Sequence, residues 1–133
     1  MIAVTGASGF VGRALVRDLV ARGRPVRALV RTGSAVLESM QVRTVVIGDL
    51  GARLDCPGAL AGVDCLVHCA ARVHRLDERT GAALQRYRQV NVAGSLRLAE
   101  LAAAQGVRRF VFISSIKVLA ERTAAGAVLT GAT

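Results

Sequence analysis

"IAVTGASGFVG", residues 2–12, decides how the rest of the chain is read. Ile2 to Thr5 form a short, mostly aliphatic run of the kind that makes a buried strand. Three glycines follow at even spacing, Gly6, Gly9 and Gly12, and "FVGRALVRDLVARG" (10–23) then carries helical periodicity. A strand, a glycine loop and a helix in that order leave backbone N–H groups at the positive end of a helix dipole, where an anion is favoured. Gly6 permits a tight turn, Gly9 lets a diphosphate approach the main chain, and Gly12 permits close packing of helix on strand. The stretch therefore points to a dinucleotide, with a merely structural turn as the competing reading.

The alternation begun there continues. Gly23 and Pro25 stop the first helix, whose inward side is expected to carry Val11, Leu15, Leu19 and Val20. "PVRALVR" (25–31), "VRTVVIG" (42–48), "VDCLVHCA" (63–70) and "RFVFI" (109–113) read as four more strands. "CPGALAG" (56–62) reads as part of a short helix. A long helix is expected from about Ala82 to Gln105, with Leu84, Tyr87, Val90, Gly94, Leu98 and Leu101 on one face and Gly94 allowing a close approach to the sheet. Strands separated by helices require right-handed parallel crossovers. The expected fold is α/β: a doubly wound parallel sheet of five strands in the order 3-2-1-4-5, with its ligand at the carboxyl ends of the strands.

Composition agrees with that architecture. At 133 residues the length fits one domain, and with 53% hydrophobic but only 3% aromatic residues the core must be built from Ala, Val, Leu and Ile. Parallel strands buried on both faces have that character. The net charge of +9 comes from 17 arginines and one lysine. They are scattered and lack aromatic neighbours for base stacking, so a codon bias is the preferred explanation and no nucleic-acid partner is expected. No run approaches the roughly 18 apolar residues of a membrane span, and no basic leader precedes the first strand, so the expected compartment is the cytoplasm. Cys56, Cys65 and Cys69 form no Cys-x-x-Cys pair and are read as packing residues, with no metal site.

The second strand ends at Arg31, where an acidic residue would take the ribose 2′-hydroxyl of NAD. A guanidinium with Ser34 close behind suits a 2′-phosphate instead, which favours NADP(H) over NAD(H). The alternative is a solvated arginine in an arginine-rich chain.

"VTGASGFVG" resembles the opening of the extended short-chain dehydrogenase/reductase family, also described as NAD-dependent epimerases/dehydratases, which share a Rossmann-like fold. The resemblance implies that Gly6, Ser8, Gly9, Phe10, Val11 and Gly12 surround the cofactor. In "GDL" (48–50) it implies that Asp49 binds the adenine amino group and Leu50 lies against the ring. In "HCAA" (68–71) it implies that Cys69, Ala70 and Ala71 keep the path to the cofactor open, while His68 is a packed strand-end residue. Asn91, in "VNVAGS", matches a recurrent asparagine near the active site and could equally organise backbone. Ser114 would line the nicotinamide pocket, and Ser115 would hydrogen-bond the substrate oxygen at the carbon being oxidised or reduced.

More narrowly, "AARVH" (70–74), "YRQVNVAGS" (87–95) and "RRFVFISSIKV" (108–118) resemble bacterial nucleotide-sugar 4-epimerases and 4-keto-hexosamine reductases of surface-polysaccharide synthesis. Their chemistry uses a Tyr-x-x-x-Lys pair, with the tyrosine as general acid/base. Here the one tyrosine, Tyr87, precedes the one lysine, Lys117, by 30 residues, so these 133 residues contain no such pair. Tyr87 is read as a helix-face packing residue. The expectation is a cofactor-binding domain over residues 1–121 with a divergent or truncated tail over 122–133, incomplete relative to the family and inactive alone. A UDP-sugar would bind only if a C-terminal part were supplied, and exposed sheet surface makes self-association possible. A non-catalytic, redox-sensing NAD(P) module and an inactive gene remnant are the alternatives.

Overall fold

The computed structural model describes residues 1–73, 81–120, 122–123, 126–128 and 130. Its centre is a five-stranded parallel sheet in the order β3-β2-β1-β4-β5, as expected from the sequence. The strands are β1 (Ile2–Thr5), β2 (Val26–Val30), β3 (Arg43–Val46), β4 (Cys65–His68) and β5 (Arg109–Phe112). β1 pairs Ile2 with Val26 on one side and with Cys65 on the other, so the carboxyl ends of the central strands finish level. β1 coincides with its run, whereas β2 to β5 are each shorter than theirs, because those runs continue into the adjoining loops.

Whereas the edge strands β3 and β5 are largely exposed, the central strands β1, β2 and β4 are buried on both faces. On one, α1 (Phe10–Ala21) packs Val16 into a core with Val4, Ala28, Val30 and Val67. On the other, Leu98, Leu101 and Ala102 of α4 (Ser95–Ala104) meet Ala3, Leu29, Leu60 and Leu66. Alternate residues of β1, β2 and β4 thus go to opposite cores, the two-residue period of a strand. The inward side of α1 is Gly12, Leu15, Val16 and Leu19, whereas Val11 and Val20 face solvent. The helix is therefore rotated from its expected face so that Gly12 meets the loop.

The long helix is interrupted. α3 (Gly81–Tyr87) passes into a π-helical stretch, Arg88–Gly94, before α4 begins. A π-turn inserts extra chain and shifts the phase of the inward face. Ala83 is consequently buried while Leu84, expected on that face, is exposed. Gly94 reaches the loop after β3 rather than the sheet: a Cβ there would lie 2.9 Å from the Gly51 nitrogen and from the Leu50 Cβ. The segment expected as a short helix in 56–62 is a single 3-10 turn, Pro57–Ala59, and a short helix with no sequence forewarning, α2 (Ala35–Ser39), separates β2 from β3.

One arginine belongs to the core. Arg27, 5% exposed, sends Nη1 to the carbonyls of Ala59 (2.8 Å) and Ala61 (2.9 Å). Its charge ties β2 to the loop before β4, so it is not part of a nucleic-acid surface. His68 is likewise internal, with the Thr5 hydroxyl 2.6 Å from Nδ1, the Ser95 hydroxyl 2.8 Å from Nε2, and the rings of Phe110 and Phe112 alongside. It joins β1, β4 and α4, in agreement with its reading as a packed residue. Burial lowers its pKa.

Candidate functional site

A cleft of about 400 Å³ opens at the carboxyl ends of β1, β2, β3 and β4. That volume lies within the range of small-molecule sites. Its floor is the glycine loop. Gly6 follows β1 with φ +64°, and a Cβ there would stand 2.6 Å from the Ala70 nitrogen and 2.8 Å from the Cys69 carbonyl carbon. Gly6 therefore serves both a turn and a backbone-to-backbone contact with the segment after β4. A Cβ on Gly12 would lie 2.1 Å from the Gly6 oxygen. Its close contact is with the loop itself, a correction to the expected packing of helix on strand.

Gly9 differs from both. The one contact its Cβ would make within 4 Å is the Gly6 oxygen at 3.2 Å, so the space above it is open. Gly9 caps α1 without any side-chain hydrogen bond, and the first turn carries no acidic residue. The first N–H groups of a helix have no partner within it. Here neither a capping side chain nor a carboxylate compensates them, so the residues present fit a diphosphate approaching the main chain.

The other walls come from the ends of β2, β3 and β4. Arg31 and Ser34 line the cleft on one side, Asp49 and Leu50 on another, and Cys69, Ala70 and Ala71 opposite, with Ser8 beside Gly9. Arg31 Nε lies 3.8 Å from Asp49 Oδ1, with both side chains well exposed. Adjacent strand ends explain this, because Val30 pairs with Val46 and the two loops leave the sheet side by side. Burial pushes the Cys69 thiol pKa up, which suits a passive wall.

Several sequence candidates stand outside the cleft lining. Phe10 is 88% exposed at the start of α1, and Val11 is half exposed beside it. Asn91 sits in the π-helical stretch, accepts from the Arg72 N–H at 2.7 Å and donates to the Arg72 carbonyl at 2.9 Å. Of its two readings, the one in which it organises backbone matches this geometry. Tyr87 acts nearby, its hydroxyl donating to the Val73 carbonyl at 3.1 Å and its ring facing the Arg72 guanidinium. Ser114 and Ser115 follow β5 on exposed chain, and Ser115 Oγ accepts from the Lys117 N–H at 3.2 Å. His74, in the resemblance segment 70–74, lies outside the described residues.

Sequence reasoning missed Thr5, Ile47, Arg72 and Val90, which also line the cleft. Thr5 and Ile47 end or follow strands, so their positions were readable from the topology rule. Arg72 comes in through the loop held by Asn91, a contact across 19 residues that no local pattern encodes, and Val90 through the π-helical stretch that carries Asn91. Among the described residues no cluster of His, Cys, Asp or Glu could hold a metal ion, and no helix is long and apolar enough to cross a membrane.

A family model, described as the NAD dependent epimerase/dehydratase family, matches residues 2–129. The chain is 39% identical over 130 residues to a UDP-glucose 4-epimerase of Vibrio cholerae, covering 94% of this chain and 38% of that protein. It is 38% identical over 122 residues to a 3-beta-hydroxysteroid dehydrogenase of Mycolicibacterium neoaurum, covering 89% and 32%. A crystal structure of a short-chain dehydrogenase/reductase superfamily protein from Agrobacterium tumefaciens with bound NAD superposes with a TM-score of 0.73 at 39% identity, covering 91% of this chain and 34% of that one. The chain thus spans about a third of the length of the curated relatives it matches.

Proposed function

This chain belongs to the NAD dependent epimerase/dehydratase family, and from that premise we propose that it is the NAD(P)-binding part of a nucleotide-sugar oxidoreductase, a 4-epimerase or 4-keto reductase of surface-polysaccharide synthesis. The observation that carries the reading is the open cradle at Gly9, at the uncapped start of α1 and on the floor of the cleft. On this reading main-chain amides of the loop from Gly6 to Gly12 hold the diphosphate, with Ser8, Phe10 and Val11 around it. Asp49 takes the adenine amino group, Leu50 packs on the ring, and Arg31 with Ser34 meets the ribose of NADP(H) in preference to NAD(H). Cys69, Ala70 and Ala71 wall the path to the nicotinamide, and Asn91 acts through Arg72 by fixing that wall.

When bound, the nicotinamide supplies a hydride acceptor or donor. Ser115 orients the substrate oxygen and Ser114 borders the nicotinamide. A serine at its ordinary pKa moves no proton at neutral pH, and no Tyr-x-x-x-Lys occurs in the 133 residues. The cofactor-binding domain, residues 1–121, therefore binds without turnover, and a UDP-sugar binds when further polypeptide completes the site. The proposed compartment is the cytoplasm.

Titrating NADPH and NADH against the folded chain, followed by an assay with a UDP-4-keto sugar, tests this. Binding without turnover is expected; turnover by these residues alone would overturn the assignment of the acid/base to other polypeptide. The nearly equal identity to a steroid dehydrogenase favours a second reading, in which the same cofactor half serves a steroid oxidoreductase. Magnetisation transfer to UDP-glucose or to a 3-hydroxysteroid from this domain joined to the polypeptide that completes the site separates the two.

A further inference from the structure

The Arg31–Asp49 contact lies where the two pyridine nucleotides differ. We infer that Asp49 weakens the cleft's preference for a 2′-phosphorylated cofactor by engaging Arg31, so that the ion pair sets cofactor choice. This rests on the NAD(P) reading above and deepens it. Arg31 alone offers a phosphate five N–H donors and a full positive charge. Its Nε, however, already faces the Asp49 carboxylate at 3.8 Å, and both residues line the cleft. An arriving 2′-phosphate must share the guanidinium with a carboxylate of its own sign. A ribose 2′-hydroxyl is neutral and meets no such opposition.

The contact is single and long, with Nε rather than a bidentate fork, so the terminal nitrogens stay available for hydrogen bonding. Exposed pairs of this kind interact weakly and are screened by salt. The expected effect is accordingly modest, about threefold to tenfold in affinity. It is large enough to turn a preference for NADP(H) into the use of both cofactors.

The test measures NADPH and NADH dissociation constants by fluorescence titration for wild type, Asp49→Asn, Arg31→Gln and the double variant. Asparagine keeps an acceptor for adenine, and adenine is common to both cofactors, so its contribution cancels in the ratio of the two constants. Asp49→Asn is expected to raise the preference for NADPH about threefold to tenfold at low salt, with the gain shrinking at 0.5 M salt. In the Arg31→Gln background the same change should alter the ratio less than about twofold. A ratio indifferent to Asp49→Asn overturns the inference. An equal rise without Arg31 also overturns it, since Asp49 would then repel the phosphate directly. Failure of folded wild type to bind either nucleotide removes the NAD(P) reading first and this inference with it.

Discussion

Gly6 and Ala70 pack backbone against backbone: a single added Cβ on Gly6 would lie 2.6 Å from the Ala70 nitrogen. The contact brings the turn after β1 against the segment after β4, and both residues line the cleft. Gly6→Ala adds both that clash and the strain of φ +64°. It is expected to cost about 2–4 kcal/mol of stability in urea denaturation. Gly23→Ala is the control, because Gly23 has φ +65° with nothing within 4 Å of its Cβ, and should cost only about 1 kcal/mol. Equal losses at both sites would show that the packing against Ala70 contributes nothing.

Asn91→Ala removes the acceptor and the donor that hold both backbone groups of Arg72. A loss of about 1–3 kcal/mol is expected, together with faster amide exchange at Arg72 and weaker cofactor binding. Unchanged exchange at Arg72 would contradict the assignment of Asn91 to that wall.

Arg27→Met leaves the carbonyls of Ala59 and Ala61 without their buried donor. Each unsatisfied carbonyl costs about 1–3 kcal/mol, so a lowered midpoint in urea is expected, with no change in the ratio of NADPH to NADH affinity.

Stability should fall in mild acid because of His68. Burial holds its folded pKa below the ordinary histidine value, so the unfolded chain binds more protons once the pH drops below about 6.5. Stability contributed by neutral His68 is full above that pH and is lost as pH falls toward the depressed folded value. The slope from this one site is at most about 1.4 kcal/mol per pH unit. Comparing denaturation midpoints of wild type and His68→Gln from pH 7.5 to 5 should show a flatter profile in the variant; parallel profiles would refute the assignment.

The fold was legible because parallel strands buried on both faces leave aliphatic runs, and because glycine and proline mark their ends. The strand order followed from the doubly wound arrangement that alternating strands and helices adopt. The glycine loop was legible too, since Gly6 and Gly12 have steric jobs that no other residue can perform. What stayed hidden depends on contacts between distant segments. The π-helical stretch at Arg88–Gly94 moved Leu84 outward and Ala83 inward, and nothing in an α-helical period announces it. The Asp49 carboxylate near Arg31 arises from neighbouring strand ends, 18 positions apart in sequence. Asn91 was readable as polar and important, but its bond to Arg72 was not.

Calorimetric titration of NADPH and NADH into folded chain, with Gly9→Ala alongside, tests the central claim most directly. A Cβ on Gly9 would meet only the Gly6 oxygen, at 3.2 Å, a tight contact that a small shift relieves, so the variant should keep its circular dichroism while obstructing the main-chain approach. The account predicts one-to-one binding heat from wild type and at least a tenfold weaker affinity, about 1.4 kcal/mol, in the variant. Absence of heat from natively folded wild type, or undiminished affinity in Gly9→Ala, would contradict it.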